Sequence, residues 1–195
     1  LILNRPRIDF AFAASLSTRD TDDWPTLVHA MKREVTDEPL QAELARVARE
    51  LAADGIEGDG VVDALAEIAA SMPVYRTYLP HGEEIVRRAA VDAADWRPDL
   101  RGELERLVPV LTDPRRAAAL RWQQTTGMVM AKAVEDRAFY RWSRLTSLNE
   151  VGGDPASGAL APDAFHEAQR RRHERRPLAQ TALTTHDTKR SEDTR

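Results

Sequence analysis

Apolar residues recur three or four positions apart along most of this chain. Leu40, Leu44, Val47 and Leu51 are spaced four, three and four before Gly55, which predicts an amphipathic helix stopped by glycine. Thr36-Asp37-Glu38-Pro39 reads as its start, with proline in the first turn where a missing N–H costs nothing. Val61, Leu65, Ile68 and Met72 repeat the spacing up to Pro73. Upstream, Thr21-Asp22-Asp23 offers an N-cap to a helix with Trp24, Leu27, Val28 and Met31 on one face. Residues 83–94 and 98–111 predict two further helices. Thr112-Asp113-Pro114 then caps another that carries Ala117, Leu120, Trp122 and Thr125 up to Gly127. Residues 128–142 are helical again with a thin apolar face, and residues 162–176 form a last helix.

Three stretches break this rhythm. Pro73-Val-Tyr-Arg-Thr-Tyr-Leu-Pro80 is fenced by prolines and favours an extended form. Its tyrosines read most simply as packing residues with a wet hydroxyl, and more sharply as a sugar-stacking edge. Leu145-Thr-Ser-Leu-Asn-Glu-Val-Gly-Gly-Asp-Pro155 is a loop of turn formers whose side chains suit a hydroxyl-rich ligand. Thr181 to Thr185 is β-branched and apolar enough for a short buried strand, followed at once by His186-Asp187 and the charged Thr188-Lys189-Arg190-Ser191-Glu192-Asp193. Residues 1–12 alternate weakly and suit a strand pair or a frayed helix.

Composition narrows the class. The 195 residues carry a net charge of −4 and are 42% hydrophobic, enough for one core, in one domain or two. The mild acidity argues against a nucleic-acid binder. The basic run Gln169-Arg-Arg-Arg-His-Glu-Arg-Arg176 sits at a helix C-terminus, where cations suit the dipole, so a plain solvated end is expected there. Without cysteine there is no disulfide or thiolate metal site, and a reducing, cytoplasmic setting fits. No apolar run approaches the roughly 18 residues that span a membrane, so no membrane partner is expected. The chain opens on Leu1 and stops on Arg195 within a charged turn, and the expectation is a piece of something longer.

The chemistry that remains is narrow. The histidines at 29, 81, 166, 173 and 186 are scattered and none makes a His-x₃-His pair, so no metal and no cofactor is expected. There is no Gly-x-Ser-x-Gly elbow and no glycine-rich phosphate loop ahead of a helix. What is left is Asp187 beside His186 at a strand tip, where an α/β barrel keeps its chemistry. Such a carboxylate binds sugar hydroxyls and opposes a developing oxocarbenium charge. Lys132, Glu135, Asp136, Arg137, Arg141 and Arg144 fall within thirteen residues, read either as a solvated helix of ion pairs or as part of a site.

These residues resemble a family. Met130-Ala-Lys-Ala-Val-Glu-Asp136, Ala138-Phe-Tyr140, Arg144-Leu-Thr-Ser-Leu-Asn-Glu-Val-Gly-Gly-Asp-Pro155 and Thr185-His-Asp-Thr-Lys-Arg-Ser-Glu-Asp193 look like maltooligosyl trehalose synthase, a branch of the α-amylase superfamily. Residues 73–78 and 123–127 match as well. Ala133 departs from an expected glycine, which is tolerable if the site is helical. The resemblance is specific from Pro73 onward and implies a mainly α segment, the helical insertion of a (β/α)8-barrel enzyme with one or two short strands. It divides into 1–72, a helical segment of weak resemblance; 73–176, a helical region with sugar-site motifs; and 177–195, a barrel strand and catalytic tip.

The implied activity is an intramolecular glycosyl transfer. It turns the reducing-end α-1,4 bond of a maltooligosaccharide into the α,α-1,1 bond of a trehalose cap. The resemblance makes Asp187 the third catalytic carboxylate and His186 its neighbour on the same sugar ring. Lys189 and Arg190 are expected to contact substrate, and Lys132, Glu135, Asp136, Tyr140, Asn149 and Glu150 to build subsites. The nucleophile and general acid of the superfamily have no counterpart motif here, so the rest of the barrel is the expected partner and the segment alone is expected to be inactive. The alternative is a non-catalytic helical interaction module.

Overall fold

The computed structural model describes residues 23–144, 146–157, 160–180 and 182–190. The expectations for residues 1–12 and for the Thr21-Asp22 cap lie outside the described residues. The chain divides into two compact units, one of Pro25–Tyr140 and one joining Trp24 to the residues from Arg141 onward. As the sequence predicts, the described fold is mainly α.

The Pro25–Tyr140 unit is built from helices α1 (Trp24–Asp37), α2 (Gln41–Ala53), α3 (Val61–Ser71), α4 (Glu83–Trp96), α5 (Arg101–Leu111) and α6 (Ala117–Met130). At its centre lies α3, packed against α2, α4, α5 and α6. Its sequence explains that place: Ala64, Ala66, Ala69 and Ala70 are buried along with Val61, Leu65 and Ile68, so it is apolar nearly all round, as a helix without a wet face must be. Leu44, Val47 and Leu51 of α2, Val86, Ala89 and Ala93 of α4, Leu104, Leu107 and Leu111 of α5, and Trp122 of α6 close the core around it.

The ends follow local chemistry. Ile56 N–H donates to Leu51 O at 2.9 Å and Gly55 N–H to Ala52 O at 3.0 Å, a Schellman closure that places Gly55 at φ +79°, where a side chain would be strained. Elsewhere the predicted boundaries shift. Thr36 lies near the C-terminal end of α1, its hydroxyl donating to Lys32 O at 3.0 Å and Arg33 O at 2.9 Å. Pro39 sits in the turn before α2, not in its first helical turn. Gly127 stops nothing: α6 runs on into a π-helix, Ala131–Ala138, and a final turn, Phe139–Arg141. The segment between Pro73 and Pro80 is no strand. It closes a single antiparallel bridge, Tyr78 to His81, across the cis Leu79–Pro80 bond.

The other unit holds a 3₁₀ turn, Thr146–Leu148, and helix α7, Pro162–Arg175. No residue of α7 is buried, and Arg170 pairs with Glu167 and Glu174 along it. The strand expected at 181–185 is not formed over 182–185, whose side chains are exposed. A strand is held by neighbouring strands, and among the described residues no other strand is formed. Thr181 and 191–195 lie outside the described residues.

Candidate functional site

The expected site residues fall into one group on each unit. On Pro25–Tyr140 the group rides on the π-helix. Val129, Met130, Ala133, Val134, Ala138 and Phe139 are buried and fix its inner face. Ala133 is therefore a helical position, where alanine in place of glycine is tolerated. Lys132, Asp136 and Tyr140, spaced by four, are exposed. Lys132 Nζ donates to Asp136 at 2.8 Å. Glu135 points the other way. Its residue is only 6% exposed, and its carboxylate accepts a hydrogen bond from the Tyr75 hydroxyl. Arg137 reaches back to Glu34 of α1 at 2.6 Å.

The segment that carries Tyr75 is itself tied to α6, because Leu79 N–H donates to Gln123 Oε1 at 2.9 Å. Tyr75 is thus an inward residue and Tyr78 an outward one, 66% exposed, with the Arg76 guanidinium 4.7 Å from its ring centre. Tyr75 and Gln123 belong to this construction and the sequence does not mark them for it, since their partners lie 60 and 44 residues away.

On the other unit, the loop 146–157 and the turn 185–190 meet. Asn149 is fully buried and its amide donates to Trp142 O at 2.6 Å. The neighbouring Glu150 uses Oε1 to accept from the backbone N–H groups of Val151 and Lys189, both at 2.9 Å. Gly153 is required here, since a Cβ would sit 2.8 Å from the carbonyls of Leu148 and Glu150. The turn beyond is closed locally: Thr185 N–H donates to Thr188 Oγ1 at 2.6 Å, and Asp187 N–H to Thr185 Oγ1 at 3.3 Å. His186 Nε2 lies 3.1 Å from Asp187 Oδ2 with side chains 90% and 64% exposed, so that contact adds little stability and leaves both heads open to a ligand. Arg190 donates to the Lys189 carbonyl at 3.0 Å.

A third polar cluster was not foreseen. Glu67, on the central helix α3, has a side chain only 2% exposed. It is met by His29 Nε2 at 2.5 Å and Arg33 Nη1 at 3.1 Å, while the His29 ring stacks on Trp96 at 4.0 Å. One turn on, Lys32 is buried and donates to Met72 O at 2.6 Å. Burial pushes its ammonium down to about 8. These groups bind α1 to α3 and take no part in either exposed group. Among the described residues no cluster of three or more His, Asp or Glu is placed to hold a metal ion, and no helix is long and apolar enough to cross a membrane.

No protein-family model matches the chain. Solved structures do. Over 95% of its length it superposes on maltooligosyltrehalose synthase from Arthrobacter ramosus with a TM-score of 0.85 and 51% identity. The chain resembles part of a maltooligosyl trehalose synthase. A Sulfolobus tokodaii hypothetical maltooligosyl trehalose synthase matches 96% of the chain at 27% identity and a TM-score of 0.71. A Mycobacterium tuberculosis (strain H37Rv) protein, provisionally named maltooligosyl trehalose synthase, is 34% identical over 177 residues, 90% of the chain. The chain spans about a quarter of each: 24% of the two structures and 23% of the mycobacterial protein.

Proposed function

We propose that this chain supplies the helical region and one catalytic carboxylate of a maltooligosyl trehalose synthase, acting in trehalose formation in the cytoplasm. The observation that carries this reading is the 51% identity, with a TM-score of 0.85, to the Arthrobacter ramosus enzyme. In the proposed reaction the reducing-end α-1,4 bond of a maltooligosaccharide is exchanged for an α,α-1,1 bond within one substrate. Asp187 holds ring hydroxyls and favours the distorted, positively charged sugar of the transition state. His186 bonds the same ring, and its exposure beside Asp187 suits that role. Lys189, Arg190 and Glu150 form one polar wall, with the buried Asn149 behind it. Their backbone tie, Lys189 N–H to Glu150, supports treating them together. Lys132, Asp136 and Tyr140 offer a second contact face, with Glu135 behind it. The nucleophile and general acid come from the remainder of the barrel.

The test is to incubate the chain, and separately the full reading frame that contains it, with maltopentaose and to follow the loss of reducing ends. Loss with the full frame and none with the chain alone is the expected result. No loss with either would point to a non-catalytic module, and loss with the chain alone would refute the assignment of the other carboxylates elsewhere.

A further inference from the structure

Residues 131–138 adopt a geometry that a polypeptide seldom chooses. A π-helix closes i→i+5 bonds and is rare, appearing mostly as short bulges inside α-helices and often at functional sites. Here the Phe139 N–H still reaches the Val134 carbonyl, five residues back. Nothing in Ala-Lys-Ala-Val-Glu-Asp-Arg-Ala demands this, since these residues are ordinary α-helix formers. The restraint comes from outside. Glu135 is buried in the middle of the segment, and a buried carboxylate is tolerable only where donors meet it. The Tyr75 hydroxyl is such a donor. It is held by a segment already anchored on α6 through Leu79 and Gln123 and lying against Gly127, whose Cβ position is 3.7 Å from the Tyr75 carbonyl. Tightening 131–138 to α geometry would turn Glu135 away from that hydroxyl. It would also swing Tyr140 about the axis relative to Lys132.

We infer that Tyr75 is a positioning residue whose bond to Glu135 holds 131–138 in the π register and so sets how Lys132, Asp136 and Tyr140 are presented together. In its link to saccharide the inference rests on the proposed function, which makes that row a contact face. Glu135 then acts from behind the face, through the helix, and does not touch the sugar.

The experiment uses the 195-residue chain with two variants, Tyr75→Phe and Glu135→Gln, the second retaining an acceptor for the hydroxyl. Amide hydrogen exchange is read at 131–141 and, as a fold control, at 61–71. The resonances of Lys132, Asp136 and Tyr140 are then followed during titration with maltotriose. Tyr75→Phe should speed exchange at 131–141 by roughly tenfold, as for one lost buried hydrogen bond, with 61–71 unchanged. It should also weaken the maltotriose response, while Glu135→Gln stays close to wild type in both readings. Unchanged exchange at 131–141 in Tyr75→Phe overturns the inference, even if the titration weakens, because Tyr75 would then meet the sugar directly. Faster exchange at both 131–141 and 61–71 overturns it too, by making the bond one of general stability. Local acceleration without any maltotriose response in wild type upholds the positioning role and removes the contact face from the proposed function.

Discussion

The Pro25–Tyr140 unit and the turn 185–190 are stabilised in opposite ways. In the first, side chains far apart in sequence finish one another's chemistry: His29 and Arg33 meet Glu67, Lys32 meets Met72 O, and Tyr75 meets Glu135. In the second, most bonds stay within a few residues, as Thr185 to Thr188 does. The Lys189 N–H to Glu150 tie, at 2.9 Å, reaches further. His186 and Asp187 stand in the open. Residues that lock a fold are buried and paired, whereas residues that meet a ligand keep free faces. The two regions differ as a packed scaffold differs from an open turn, and the openness is what the proposed contact role needs.

The sharpest way to break that comparison is Asp187→Asn in the full reading frame. If this carboxylate opposes transition-state charge, turnover falls at least about a thousandfold while the folded state is untouched, because an exposed side chain carries little stability. Reducing-end assays with maltopentaose and a thermal melt give both numbers. Near-normal turnover would move Asp187 out of the catalytic role.

The converse holds in the scaffold. Arg33 Nη1 and Nη2 hold Glu67 at 3.1 Å and Asp63 at 2.6 Å. Arg33→Met leaves the buried Glu67 carboxylate with less compensation, at a cost of about 3 kcal/mol in urea unfolding. A loss below roughly 1 kcal/mol would mean that His29 alone satisfies Glu67.

Lys32 allows a finer test by pH. Its ammonium is lowered from 10.5 to about 8 in the folded chain, so the unfolded chain binds more protons between those values. The burial penalty is then fully present below pH 8 and is relieved as pH rises towards 10.5. Wild type should gain about 2 kcal/mol over Lys32→Met between pH 7 and pH 10, other titrations cancelling in the difference. A flat difference would place the Lys32 amine in water.

How much of this was legible depends on the range of the interaction. The helices were, because their apolar spacing is local: Leu44, Val47 and Leu51 announce α2, and Gly55 its closure. Pro39 misled because proline suits a first helical turn and the turn before it almost equally. The π-helix left no mark, since one wider turn barely disturbs an apolar spacing over 8 residues. Glu135 read as a candidate contact because a sequence shows a carboxylate and not the tyrosine 60 residues earlier that meets it. The strand at 181–185 was inferred from β propensity, which measures fit to a neighbouring surface more than any backbone preference. Among the described residues no strand is formed to offer one.

The smallest expected effect is the most direct check on the contrast between the regions. Leu183 is 74% exposed, so its side chain has given up little water. Leu183→Ala should change unfolding free energy by no more than about 0.5 kcal/mol, as for other surface positions. Fully burying a leucine is worth roughly 2 kcal/mol from transfer alone. A loss approaching that value in the 195-residue chain would mean that residues 182–185 pack in solution. They would then belong with the scaffold, and Asp187 would sit at the end of a supported element and not on an open turn.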